Sequence, residues 1–135
     1  MRERQSYYLN TDLDLISKRN LSGLLSELES KCCILHGEKH DDSWFIRAES
    51  LSGEEEGGSD PSQDIGSLLD VLENLDEKSS MLLRSCETIE FNIGWQAGDE
   101  RPAANSFTLE PELLARIAAL GGRLATTIYP ASEYD

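Results

Sequence analysis

Apolar and polar residues alternate near the start of the chain. Tyr7, Leu9, Thr11, Leu13 and Leu15 interleave with Asn10, Asp12 and Asp14, the period-two signature of a half-buried strand. The period then changes. After Asn20, a good helix cap, Leu21, Leu24, Leu25 and Leu28 recur at helical spacing and predict an amphipathic helix running to about Ser30. Cys32 to Leu35 is a short apolar run, and a polar turn from His36 to Asp42 leads into Ser43–Glu49. These two runs predict a hairpin.

The second half repeats the logic. Asp60 can cap a helix, Pro61 suits its first position, and Gln63 can reach back as in a capping box. Ile65, Leu68, Leu69, Leu72 and Leu75 then form a continuous helical stripe, and Lys78–Leu83 adds a further helical turn. Ile89, Phe91, Ile93 and Trp95 alternate with Glu90, Asn92 and Gly94, the clearest strand in the sequence. Gln96 to Ser106 reads as a loop. Pro111 opens a helix with Leu113, Leu114, Ile117, Ala118 and Leu120 on one face, which Gly121-Gly122 stops, and Arg123–Tyr129 is a last strand before Pro130.

The expected fold class is therefore α+β. The first six elements follow a ferredoxin-like βαββαβ order, an antiparallel sheet with helices on one face, and a C-terminal αβ extension follows. Residues 1–135 read as a single domain, since one domain takes about 100–200 residues. This topology hosts many unrelated activities, so function must come from particular residues.

Charge changes the picture most. The formal net charge is −14, yet residues 1–48 and 101–135 each carry only −1, and residues 49–100 carry −12. Within that stretch, 52–61 (Ser-Gly-Glu-Glu-Glu-Gly-Gly-Ser-Asp-Pro) holds no apolar residue and reads as a flexible acidic loop. Such acidity disfavours nucleic acid and anionic membranes as direct partners, because phosphate binding needs clustered Lys and Arg. A basic protein is the natural partner. No apolar run approaches the ~20 residues of a membrane span, and no signal-peptide pattern follows the first residues. An odd set of three cysteines, with Cys32 and Cys33 adjacent, does not build a disulfide framework and points to the reducing cytoplasm.

Catalytic chemistry is thinly represented. His36 and His40, with Asp41, Asp42 and Cys33 nearby, form the densest ligand set. A His-x-x-x-His pair holds zinc when both rings share a helix face, but Gly37 and the surrounding charges indicate an exposed turn. Cys32, Cys33 and Cys86 read as buried structural residues. Glu54, Glu55, Glu56, Asp60 and Asp64 lack the ligand spacing of a calcium loop, and Glu87 and Glu90 have no acid–base partner in sequence. No phosphate-binding loop is present. The expectation is no metal, no cofactor and no catalytic residue. Trp95, at a strand end beside a polar loop, suits either core or protein contact.

The last segment, Leu109-Glu110-Pro111-Glu112-Leu113-Leu114-Ala115-Arg116-Ile117-Ala118-Ala119-Leu120-Gly121 with a strand ending Thr127-Ile128-Tyr129, resembles small bacterial α+β domains of unknown function. Those domains close with a Leu-x-Pro-x-Leu-x-x-Ile-Ala-x-Leu-Gly helix and a short strand. The resemblance implies a bacterial cytoplasmic protein of the immunity or accessory type and supplies no catalytic residues. Three functional classes stand. The first is a non-catalytic domain that docks a basic protein through Glu54, Glu55, Glu56, Asp60, Asp64 and Trp95. The second is a metal-dependent or thiol enzyme using His36, His40 and Cys33. The third is an oligomerising domain that uses the exposed edge of its last strand.

Overall fold

A computed structural model of the chain describes residues 6–51, 60–98 and 106–130. In chain order the elements are β1 (Tyr7–Ser17), α1 (Ser22–Glu29), β2 (Cys33–His40), β3 (Ser43–Glu49), α2 (Pro61–Glu73), α3 (Glu77–Arg84), β4 (Thr88–Gln96), α4 (Pro111–Ala119) and β5 (Arg123–Tyr129). The fold is α+β. The strands form one mixed five-stranded sheet in the order β2-β3-β1-β4-β5. β1 pairs antiparallel with both β3 and β4, β2 pairs antiparallel with β3, and β5 runs parallel to β4.

Local chemistry sets most of the boundaries. The Asp60 carboxylate accepts the Gln63 backbone N–H at 2.7 Å, and Pro61 occupies the first turn of α2. Asp76 caps α3 in the same way through the Ser79 N–H, at 2.8 Å. Asn20 accepts the Ser22 N–H at 2.8 Å, which starts α1 one residue later than its leucine stripe suggests. Gly121 ends α4 with a φ of 75°, a left-handed conformation that favours glycine.

Two expectations at strands are corrected. The turn placed over His36–Asp42 is in fact strand as far as His40, and only Asp41 and Asp42 make the reversal, Asp41 with a φ of 53°. In β1, the alternation does not run unbroken from Tyr7 to Leu15. A register shift lies between Tyr8 and Asn10, so Tyr8 faces the helices while Tyr7 and Leu9 are exposed. Such a bulge inserts one residue and flips the facing of everything before it.

The core lies on one side of the sheet. Leu13 and Leu15 of β1, Ile46 and Ala48 of β3, and Ile89, Phe91 and Ile93 of β4 share one buried cluster with residues of every helix. The helices contribute Leu24 and Leu28 of α1, Ile65, Leu68, Leu69 and Leu72 of α2, Leu83 of α3 and Ile117 of α4. Arg116 ties α4 to α2 by donating to Glu73 and Asp70 at 2.7–2.9 Å. Phe91 sits fully buried at the centre of this cluster. Truncating it to alanine removes the ring and leaves a cavity, so Phe91→Ala lowers unfolding free energy by about 3–5 kcal/mol in a urea titration.

Candidate functional site

The side chains of alternate parity point away from the helices. From β3 come Phe45, Arg47 and Glu49, from β1 Asn10, Asp12 and Asp14, from β4 Glu90, Asn92 and Gly94, and from β5 Arg123, Thr127 and Tyr129. This open face is polar, and its charges fall in rows across the strands.

The first row is electrically closed. Arg47 forks onto Asp14, its Nε and Nη2 donating to the two carboxylate oxygens at 2.8 and 3.2 Å. Asp14 is itself buried, so this bidentate pair stands in a partly desolvated setting where it is worth more than a surface ion pair. The pairing raises the affinity of Arg47 for its proton. At the far end of the row, Arg123 donates to Glu90 at 2.9 Å, which accounts for one of the two carboxylates first weighed as a general acid. Phe45 lies beneath the Arg47 guanidinium, 5.3 Å from ring centroid to Cζ.

The second row is not closed. Asp12 and Glu49 lie together beside Asn10, whose amide donates to both carboxylates, at 3.0 and 2.9 Å. Among the described residues the cation paired with Asp12 is Arg47, at 3.9 Å and already committed to Asp14. Burial pushes the Asp12 carboxyl up from its ordinary value to about 6, with the charge of Glu49 adding to the rise and Arg47 opposing it. Next along the row, Asn92 accepts the Thr127 hydroxyl at 2.9 Å.

Glycine lets the third row close. Gly94 is buried, and a Cβ there would meet Asn10 Oδ1 at 2.9 Å and the Tyr129 ring at 3.7 Å, so Asn10 and Tyr129 cover its backbone. The result is an acidic patch with two carboxylates, two amides and an aromatic edge. Chemically it can accept hydrogen bonds from a cation and stack on its flat faces.

Of the residues singled out from the sequence, those that are described do not converge on this patch. Glu54, Glu55 and Glu56 lie outside the described residues. Asp60 is exposed and serves as the α2 cap. Asp64 is buried, accepting hydrogen bonds from the Tyr8 hydroxyl and, at 3.0 Å, from Ser50 Oγ. It therefore belongs to the interior framework that pins α2 to β1. Burial, and then the hydrogen bond to Asp64, makes Tyr8 a still weaker acid than free tyrosine.

Trp95 lies on the helix side. It stacks on Phe107 with centroids 5.6 Å apart, meets Tyr8 edge-on at 5.8 Å, and lines a cavity of about 240 Å³ with Ser6, Thr126 and Ile128. Its indole N–H is buried and has no hydrogen-bond partner among the described residues.

His36 and His40 stand on β2, exposed, on the same side of the strand as Glu38. Both rings reach the same Glu38 oxygen, His40 Nε2 at 2.9 Å and His36 Nδ1 at 3.9 Å. Among the described residues no three His, Cys, Asp or Glu side chains are grouped to hold a metal. Cys32, Cys33 and Cys86 are free, and burial raises the Cys32 and Cys86 thiols to about 11, away from the reactive thiolate. The chain finds no match among family models, curated proteins or solved structures.

The acidic patch is legible in the sequence only in part. The alternation in β1 and β4 named Asn10, Asp12, Asp14, Glu90 and Asn92 as the outward face. Glu49 and Tyr129 join them only through the strand order, which puts β3 and β5 on the flanks of β1 and β4.

The pH dependence of stability follows from Asp12. Its folded-state value of about 6 lies above the 3.8 of an unperturbed aspartate, so the folded state binds the extra proton and its contribution falls as pH rises through that window. Asp12→Asn keeps the acceptor for Asn10 and removes the titration. The variant is therefore more stable than the parent by about 1 kcal/mol at neutral pH, after discounting for partial exposure. The difference closes towards pH 4 in paired urea titrations.

Proposed function

We propose that this chain is a non-catalytic protein-binding domain that captures a cationic side chain of a basic partner on the open face of its sheet, in the manner of an immunity or accessory protein. The observation that carries this reading is the Asp12–Glu49 pair. Two carboxylates are held side by side on rigid strands, and the neighbouring guanidinium is spent on Asp14. A lysine or arginine from a partner relieves that repulsion, and the net charge of −14 speeds the encounter. Among the described residues, Arg47 and Arg123 are the cations of this face and each is paired with an acid of the first row, while Arg19, Lys78 and Arg84 line an open groove on α3.

The strand order β2-β3-β1-β4 supports a ferredoxin-like split βαβ unit, with α3 added before β4 and α4–β5 as the C-terminal extension. The three free cysteines fit a reducing cytoplasm. No helix of the described residues is long and apolar enough to cross a membrane.

The test is titration with an oligoarginine peptide. Binding by the parent weakens as salt rises and as pH falls below about 6, where Asp12 takes up its proton. An Asp12→Asn/Glu49→Gln double variant loses about tenfold or more in affinity, equivalent to roughly 1.4 kcal/mol. A control, Glu77→Gln/Glu112→Gln, removes the same charge from helix N-termini away from the acidic patch and leaves most of the affinity. Equal losses in the two double variants contradict the reading.

A further inference from the structure

The two edges of the sheet are built differently. The β2 edge carries a register irregularity between Ile34 and His36, followed by Glu38, Lys39 and His40. Bulges and charges of this kind discourage another strand from adding. The β5 edge has neither. Its sequence, Arg-Leu-Ala-Thr-Thr-Ile-Tyr, holds one charge at its first position, and its pairing with β4 runs without a shift. Leu124 and Ile128 are 40% and 68% exposed on the same side of it.

The direction of its backbone groups follows from one bond. The Tyr129 carbonyl accepts the Ala97 N–H at 2.8 Å and so faces β4. Residues of the opposite parity, Leu124, Thr126 and Ile128, therefore turn their N–H and C=O groups outward.

We infer that a second copy of this chain pairs antiparallel along β5, about a two-fold axis through Thr126. Thr126 then meets its own counterpart, Leu124 meets Ile128 of the second copy, and Arg123 meets Tyr129. Every outward donor and acceptor of the three residues finds its complement, and the two exposed apolar side chains cover each other across the axis. Arg123 comes to the face of a tyrosine ring, a favourable cation–aromatic contact.

Charge supports the same location. Two chains of −14 repel, and the repulsion is least where the sequence is nearly neutral; residues 101–135 carry −1 against −12 for residues 49–100. The Trp95–Phe107 cavity, whose wall includes Thr126 and Ile128, extends the apolar strip on the same side. A seven-residue strand is only about 23 Å long, so the contact sits towards the small end of specific interfaces and the dimer is reversible.

Sedimentation of the full chain over about a hundredfold range of concentration tests this. The parent shifts from monomer to dimer as concentration rises, and added salt favours the dimer by screening like charge. That response is opposite in sign to cationic-partner binding at the open face, so the two can fail separately. Ile128→Lys, at a mostly exposed position, stays monomeric throughout that range, with an unchanged melting temperature. Leu35→Lys on the other edge strand still dimerises. Amide exchange in the unmodified parent gives an independent reading: protection of Leu124, Thr126 and Ile128 rises with concentration. A parent that remains monomeric, a dimer that survives Ile128→Lys, a dimer lost equally in Leu35→Lys, or protection that does not change would each overturn the inference.

Discussion

Strand β1 is held between β3 and β4, and its side-chain period of two divides its residues between an oily core and an open polar face. Leu13 and Leu15 are fully buried against the helices, so Asp12 and Asp14 have no freedom to turn elsewhere. A slip of one residue would bury carboxylates in the apolar cluster, which the hydrophobic side cannot tolerate. The burial of the leucines is therefore what crowds the acids together on the opposite face. Arg47 offsets that crowding for Asp14 alone. Asp12 and Glu49 are left with hydrogen bonds from Asn10 in place of a counter-charge.

How far the fold can be read from sequence depends on whether a segment's signal is local. Periodicity marks α2, β3, β4, α4 and β5, because their apolar spacing, caps and glycine stop all act within a few residues. The end of β2 is not legible in this way. His36-Gly37-Glu38-Lys39-His40 has the composition of a turn and is strand only because β3 supplies its hydrogen bonds. Leu25 packs over Gly37, and a Cβ there would fall 2.7 Å from its Cδ1, so a larger residue would make that leucine side chain shift. The bulge after Tyr8 is equally hidden. It turns Tyr8 inward to reach Asp64, an acid whose sequence context reads as part of an exposed acidic stretch. Residues far apart in the chain decide both cases.

The same reasoning explains why the candidate site moved. Net charge locates acidity along the sequence, whereas recognition depends on which acids are immobilised and left without partners. Asp60 and Asp64 are spent on a helix cap and on a buried hydrogen-bond network, and Glu90 is spent on Arg123. Asp12 and Glu49 remain, one drawn from the nearly neutral first 48 residues and the other from the start of the acidic stretch. The open face and the β5 edge lie on the same sheet and meet at Arg123 and Tyr129, whereas the Asp12–Glu49 pair and the Leu124–Ile128 strip are separate sets of side chains.

The ionisation of Asp12 carries the central claim, and it can be read directly. Carbon-detected NMR titration of its carboxyl group, with and without an oligoarginine peptide, measures the combined effect of burial and of Glu49, and its relief, in one experiment. An apparent pKa near 6 in the free protein, falling when the peptide is present, is the predicted result. A value near the ordinary ~4 in the free protein, or one the peptide leaves unmoved, would contradict it.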